Sequence, residues 1–268
     1  MNAYLSGNEL YGDNFSLDEI KKWFEEESEG YANLGSNRVD SYRYGYHHLN
    51  KIHGYSKIKH ISGFGNVLGI GSAWGHEFEP IIDKIRNITI IEPSTQLISN
   101  KIGTVAPVYV KPGIDGKLPF DDGSFDLITC FGTLHHIPNV SFVLSEMVRT
   151  LKPRGIILLR EPVISMGDWT NPRNGLTKNE RGIPDLFFET FFKKQPVRII
   201  SKKYCFTMTA FFQRTIGKLL SKPLHYYKTY ITIDKILSYL LKTNVHYHAT
   251  NMKERIAPTS IFYVIEKI

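Results

Sequence analysis

A chain of 268 residues is long enough for one large domain with its own core, and 42% hydrophobic with 13% aromatic content excludes a disordered or fibrous polymer. Two cysteines exclude a disulfide framework or a cysteine metal site, and no apolar run approaches the roughly 20 residues that cross a bilayer. The net charge of +7 conceals a split: residues 1–148 hold 12 Lys/Arg against 18 Asp/Glu (−6) and residues 149–268 hold 21 against 8 (+13), so the second half is expected to meet something anionic.

The first stretch, MNAYLSGNELYGDNF, has neither a basic n-region nor an apolar h-region. With Cys130 and Cys205 as the only thiols, it points to a reducing, cytoplasmic setting. SLDEIKKWFEEESE (16–29) reads as a helix. Ser16 and Glu19 form a capping box, and Leu17, Ile20 and Phe24 recur at helical spacing. YRYGYHHLNKIHGY (42–55) reads as helical in part, so residues 1–60 are expected to form a helical cap or lid.

Over residues 61–165 the texture is α/β. NVLGIG, ITIIEPS, APVYV, SFDLITCF and KPRGIILLREP read as strands, while HEFEPIIDKI, TQLISNKI and VSFVLSEMVRTL read as helices. Short, continuously apolar strands alternating with helices argue for a parallel, doubly wound sheet covered on both faces. Residues 166–268 add a long polar loop (167–185), a strand at VRIISKKYCFTM, helices at TAFFQRTIGKLL and IDKILSYLLK, and a closing strand SIFYVIEKI. They are expected to be the substrate-facing part of the same domain.

The chemistry concentrates at the ends of the strands. In VLGIGSAWG the glycines Gly71 and Gly75 permit a tight strand-to-helix turn on which a nucleoside can lie. A pyrophosphate would ask for the fuller G-x-G-x-x-G spacing, which ranks a dinucleotide ligand lower. Glu92 follows Gly71 by 21 residues (92 − 71) and ends the second strand, the offset at which a carboxylate accepts ribose hydroxyls. Asp115 follows the third strand, where a carboxylate can take an adenine amino group.

Four segments, VLGIGSAWG, IIEPS, KLPFDDGSFDLITCFGTLHHIPN and EMVRTLKPRGIILLREP, resemble the class I S-adenosylmethionine-dependent methyltransferases in order and spacing over residues 60–165. The resemblance implies a Rossmann-like, mostly parallel seven-stranded sheet with a C-terminal antiparallel strand. It implies S-adenosyl-L-methionine as cofactor and S-adenosyl-L-homocysteine as product. It places Gly69, Gly71, Ser72 and Gly75 by the methionine and ribose, Glu92 and Pro93 at the ribose, Asp115 and Gly116 at adenine, and Phe131 and Gly132 beside the methionine portion. Family members usually carry an acidic residue where this chain has Gly69, which holds the first loop or the cofactor amino group.

A hydroxyl acceptor needs a base. His135 and His136, after the fourth strand, are the first candidates and Glu161, ending the fifth, is the next. Tyr42, Arg43, Tyr46, His47 and His48 are expected as a lid over the acceptor. Arg173, Lys178 and Arg181 in the long loop are candidate phosphate ligands. No second cluster of carboxylates or cysteines completes a metal site around the His-rich stretches, so no metal is assigned. SMGDW…GLTKNERGIP further resembles methyltransferases of bacterial surface-polysaccharide and capsule clusters, which implies a nucleotide-linked or phosphorylated sugar acceptor. A lipid or quinone acceptor, an RNA acceptor and a non-catalytic cofactor-binding scaffold are the alternatives. RNA ranks low because no RNA-binding module accompanies the basic half.

Overall fold

The computed structural model describes residues 2–35, 44–169, 171, 173 and 176–268. Its seven strands are β1 (Phe64–Ile70), β2 (Ile85–Ile91), β3 (Val108–Val110), β4 (Phe125–Phe131), β5 (Leu151–Pro162), β6 (Val197–Thr207) and β7 (Pro258–Lys267), in the order β3-β2-β1-β4-β5-β7-β6. The first five run parallel, and β7 is antiparallel to both β5 and β6. The order reverses between β1 and β4, and the crevice at such a switch point is where doubly wound sheets bind ligands.

Period-two alternation assigns each strand residue to one of two cores. Leu68, Ile128, Ile157 and Leu159 pack on one face, with α4 (Val140–Thr150) and α5 (Asp185–Lys193). Val67, Ile88, Leu127, Ile156 and Leu158 pack on the other, with Tyr55, Phe78 and Phe262. Extending that alternation along β5 sends Arg160 and Glu161 to opposite sides of the sheet.

The remaining helices are α1 (Asn2–Leu5), α2 (Leu17–Gly35), α3 (His47–His53), α6 (Thr209–Arg214) and α7 (Lys228–Leu241). The capping box of α2 forms: Ser16 N donates to Glu19 Oε2 at 2.8 Å, and Glu19 N donates to Ser16 Oγ at 3.4 Å. Three expected helices differ. HEFEPIIDKI is a 3₁₀ segment with Pro80 inside it, where proline removes a helical donor. TQLISNKI forms no helix; Ile102 and Val105 bridge across a turn at Gly103 (φ +55°). TAFFQRTIGKLL breaks at Thr215 into α6 and a 3₁₀ turn. Among the described residues no helix is long and apolar enough to cross a membrane.

Candidate active site

The turn after β1 is built from left-handed residues: Gly71 (φ +62°), Ala73 (φ +46°) and Gly75 (φ +73°). A β carbon on Gly71 would stand 2.4 Å from Thr133 Cγ2, so the turn needs glycine there for space as well as for φ. Ala73 takes the left-handed state at a cost of about 1 kcal/mol. Glu92 holds it there. Its buried carboxylate accepts from Ala73 N at 3.1 Å and from Ser94 N at 3.0 Å, joining the β1 turn to the end of β2. Burial raises the Glu92 pKa, against those two amides and Lys111, whose ammonium donates to Pro93 O.

A cleft opens above these residues. Gly71, Ala73, Glu92 and Pro93 line it, as do Gly116 and Asn139 on one side and Gly132, Thr133 and His136 on another. Ile20, Trp23, Phe24 and Glu27 of α2 line it as well, so the N-terminal helix forms part of its wall. Asp115 does not line it: its carboxylate closes a turn by accepting from Lys117 N at 3.0 Å. Asn139 stands there instead. Its Nδ2 donates to Asp115 O at 2.7 Å, and its buried Oδ1 has no partner. Sequence reading missed Asn139, although its place at the end of HHIPN is a signal.

Gly69, Ser72 and Gly75 lie behind the cleft rather than on it. At Gly69 a β carbon would come within 2.2 Å of Ser72 Oγ. The carboxylate expected at that position is supplied by Glu77, which accepts from Ser72 Oγ and from Thr129 Oγ1, each at 2.7 Å. Burial pushes its pKa up to about 7. Phe131 also leaves the cleft, turning to the far face against Phe262 with ring centroids 5.4 Å apart.

The candidate bases are separated by depth. Glu161 is fully buried, and four donors meet it: Thr133 N and Leu134 N at 2.9 Å and Cys130 Sγ at 3.9 Å on Oε1, and His135 Nδ1 at 2.8 Å on Oε2. Burial alone would raise its pKa, but His135 and the two amides hold it below the ordinary carboxylate value. Glu161 is thus a clamp on the loop after β4 and has no free oxygen to act as a base. His135 is buried, and its pKa is lowered by burial and by His136. His136 lines the cleft, with Nδ1 3.0 Å from Glu27 Oε2. Glu27 also accepts from Thr177 Oγ1 at 2.6 Å and Asn179 N at 3.0 Å. Despite burial, these bonds keep its pKa below the ordinary value.

The proposed phosphate ligands are corrected. Arg181 is 0% exposed and donates to the carbonyls of Tyr11, Leu134, His135, Ile137 and Pro138 at 2.8–3.1 Å. Its guanidinium is consumed in shaping the loop after β4, and burial lowers its pKa to about 10. Arg173 donates to the carbonyls of Met166, Thr177, Lys178 and Glu180, folding its own loop. Lys178 pairs with Glu26 at 2.5 Å. Tyr42 and Arg43 lie outside the described residues. Tyr46 and His47 do not line the cleft: Tyr46 stacks on His225 at 4.6 Å, and His47 pairs with Glu79 at 3.2 Å. The arginine that sequence reading passed over is Arg160. It is buried between the rings of Tyr46 (4.3 Å) and Phe131 (5.6 Å), and its Nη1 has no hydrogen-bond acceptor. A β carbon on cleft residue Gly132 would lie 3.6 Å from its Nη2.

Sheet order and a switch-point cleft together define a Rossmann-like methyltransferase fold. Residues 68–159 match the model of a methyltransferase domain family, Methyltransf_11. That match covers 92 residues, about a third of the chain. The chain is 33% identical over 98 residues to the uncharacterized methyltransferase YcgJ of Bacillus subtilis, covering 35% of this chain and 39% of that protein. It is 31% identical over 78 residues to a demethylmenaquinone methyltransferase of Staphylococcus aureus, covering 29% and 32%. The chain thus spans less than half the length of these relatives. A chain from the complex between the Haloferax volcanii Trm112 methyltransferase activator and a candidate methyltransferase superposes with a TM-score of 0.51 at 12% identity, covering 82% of this chain and 92% of that one.

The cleft fits an adenosyl ligand. Glu92 offers a carboxylate for ribose hydroxyls, and the orphaned Oδ1 of Asn139 offers an acceptor for an adenine amino group. The turn bearing Gly71 lacks the β carbon that would crowd it.

Proposed function

We propose that this chain transfers the methyl group of S-adenosylmethionine to a hydroxyl of a small anionic acceptor, of the nucleotide-linked or phosphorylated sugar class used in surface-polysaccharide synthesis. The observation that carries the methyl-transfer reading is Glu92, a buried carboxylate at the end of β2 on the cleft wall. Bound there, the cofactor supplies an electrophilic methyl on a sulfonium. Glu92 and Asn139 fix its nucleoside, and Gly71 lets it lie against the backbone. α2, anchored where Trp23 Nε1 donates to His136 O at 2.7 Å, keeps water from the reacting side. His136 is the base. Glu27 accepts its Nδ1 proton, which leaves Nε2 as the basic nitrogen for the hydroxyl proton.

The anionic acceptor is supported by Arg160, which does not itself line the cleft but whose buried guanidinium lies behind Gly132 and has an unused donor. Arginine suits carboxylate and phosphate groups. A second reading, a lipid or quinone acceptor, is favoured by the apolar side chains that α6, α7 and the turn between them expose, among them Phe211, Leu219, Ile236 and Leu240. The Staphylococcus aureus relative's name points the same way.

Calorimetry with S-adenosylmethionine tests the first part. Glu92→Ala is expected to weaken binding by about 1–3 kcal/mol, the worth of a charged hydrogen bond. Unchanged affinity sinks the ribose assignment. A turnover panel of nucleotide-sugars, sugar phosphates and quinones separates the acceptors; methylation of quinone alone overturns the anionic reading.

A further inference from the structure

The ligand-capable atoms of His135, His136 and Glu180 lie within 4.8 Å of one another beside the cleft. They come from the turn after β4 and from the long loop before α5, which lie 44 residues apart in the chain (180 − 136). The imidazole rings are 4.1 Å apart, and Glu180 Oε1 is 3.7 Å from His135 Nε2. We propose that these three side chains hold a divalent transition-metal cation, with coordination positions left open toward the cleft for the acceptor hydroxyl.

Two features carry this beyond proximity. First, each histidine is oriented from behind by a buried carboxylate. Glu161, already receiving two backbone N–H groups, accepts the Nδ1 proton of His135. Glu27, receiving Thr177 and Asn179, accepts that of His136. Such carboxylate–histidine pairs fix the tautomer and raise the basicity of Nε2 as a ligand. Second, with its proton on Nδ1, His135 turns a lone pair on Nε2 toward the Glu180 carboxylate. Two acceptors 3.7 Å apart repel unless something positive sits between them. A cation bonded to both at about 2.1 Å answers that need, and closing the set takes side-chain shifts of about an ångström.

The donor set is two imidazoles and one carboxylate. Nitrogen ligands suit zinc, manganese, iron or cobalt, whereas magnesium and calcium favour all-oxygen sets. Three protein ligands leave room for substrate, as in catalytic sites. A cation there lowers the pKa of a bound hydroxyl. It would take over the work assigned above to the His136 base, with His136 becoming a ligand. The inference rests on the methyl-transfer reading only for the use of those open positions.

Cobalt(II) is the probe. Metal-stripped protein is titrated with Co²⁺ and followed by visible absorption and by melting temperature. One equivalent should bind and raise the melting temperature, and Zn²⁺ should displace it. Glu180→Gln and His135→Gln should each weaken Co²⁺ binding at least tenfold, while Glu92→Ala leaves it unchanged. If His135→Gln does not fold, Glu180→Gln decides alone, since its side chain belongs to a loop. Absence of Co²⁺ binding below millimolar concentration, or equal binding by Glu180→Gln, overturns the proposal. Calorimetry with S-adenosylmethionine on the same samples reads the methyl-transfer proposal separately, so either can fail without the other.

Discussion

Glu77 is a carboxyl buried without a cation in contact among the described residues, and two hydroxyl donors on one oxygen do not offset its desolvation. Burial dominates its pKa of about 7, with Arg160 pulling down and Glu92 pushing up. The folded value lies above the unfolded one of 4.5, so the folded state binds the extra proton between them. Glu77 therefore costs stability as pH rises from 4.5 to 7, by about 3 kcal/mol in full. His53 does the reverse. Buried against Phe262 with both ring nitrogens unpartnered, it is pushed down to about 4 by burial and by Lys235, Lys57 and Lys203. The unfolded chain then binds the extra proton between pH 4 and 6.5, and stability falls as pH drops through that window. Glu77→Gln keeps an acceptor for Ser72 and Thr129 and removes the opposing slope. We expect it to be more stable than the parent at pH 8 by about 1–3 kcal/mol and to lose stability more steeply on acidification. Urea unfolding at pH 5, 6.5 and 8 measures both, and an unaltered pH profile would show Glu77 to be ionised throughout.

At the scale of elements, the loop after β4 is held by side chains far away in sequence. Arg181 ties it to Tyr11, Trp23 anchors α2 on it, and Asp13 accepts from Ser141 N at 2.7 Å to cap α4. Arg181→Met keeps bulk but removes five charge-assisted bonds and leaves the carbonyls of Tyr11 and Ile137 without their donor, while those of Leu134, His135 and Pro138 keep backbone N–H partners. It should cost about 3 kcal/mol or more in chemical denaturation. Loss of phosphate affinity with unchanged stability would restore Arg181 to the acceptor site. Trp23→Ala should weaken S-adenosylmethionine binding about tenfold, chiefly through a faster off-rate in stopped-flow fluorescence, because α2 closes one side of the cleft.

This layering explains what could be read in advance. β1, β2, β4 and β5 each contain a short, mostly apolar run, the capping box starts α2, and Glu92 sits at a fixed offset from Gly71; each is a local signal. The depth of His135, Glu161 and Arg181 depends on contacts across the fold, so residue type alone ranked them by chemistry and not by burial. TQLISNKI misled because eight residues rich in Ser, Thr and Asn cannot sustain a helix unless tertiary packing supports it. Here Leu97 and Ile102 are buried while Ile98 is exposed, and Gly103 turns the chain back. The helix α5 went unread although Pro184 and Asp185 mark a start and Phe188 and Phe192 a buried stripe.

Across the whole molecule, the −6 and +13 halves resolve into places. The acidic half supplies Glu27, Glu77 and Glu92, which are spent inside on hydrogen bonds. The basic half leaves lysines on β6, on α7 and just after it, where Lys203, Lys235 and Lys242 line a second hollow beside His53. They carry no contact to the cofactor cleft, so their effect on an acceptor is through the field, which raises the encounter rate for anions and is screened within about 8 Å at physiological salt. An anionic acceptor should then show kcat/KM falling as ionic strength rises, with kcat nearly constant. Lys203→Glu combined with Lys235→Glu should lower kcat/KM for that acceptor by about 3–10-fold at low salt and by much less at 0.5 M, leaving S-adenosylmethionine affinity unaltered. A neutral lipid or quinone would give a flat salt profile in both proteins. Steady-state kinetics at four salt concentrations on parent and double variant therefore discriminate the two acceptor classes, even before the acceptor itself is identified, by using charged and neutral members of each panel.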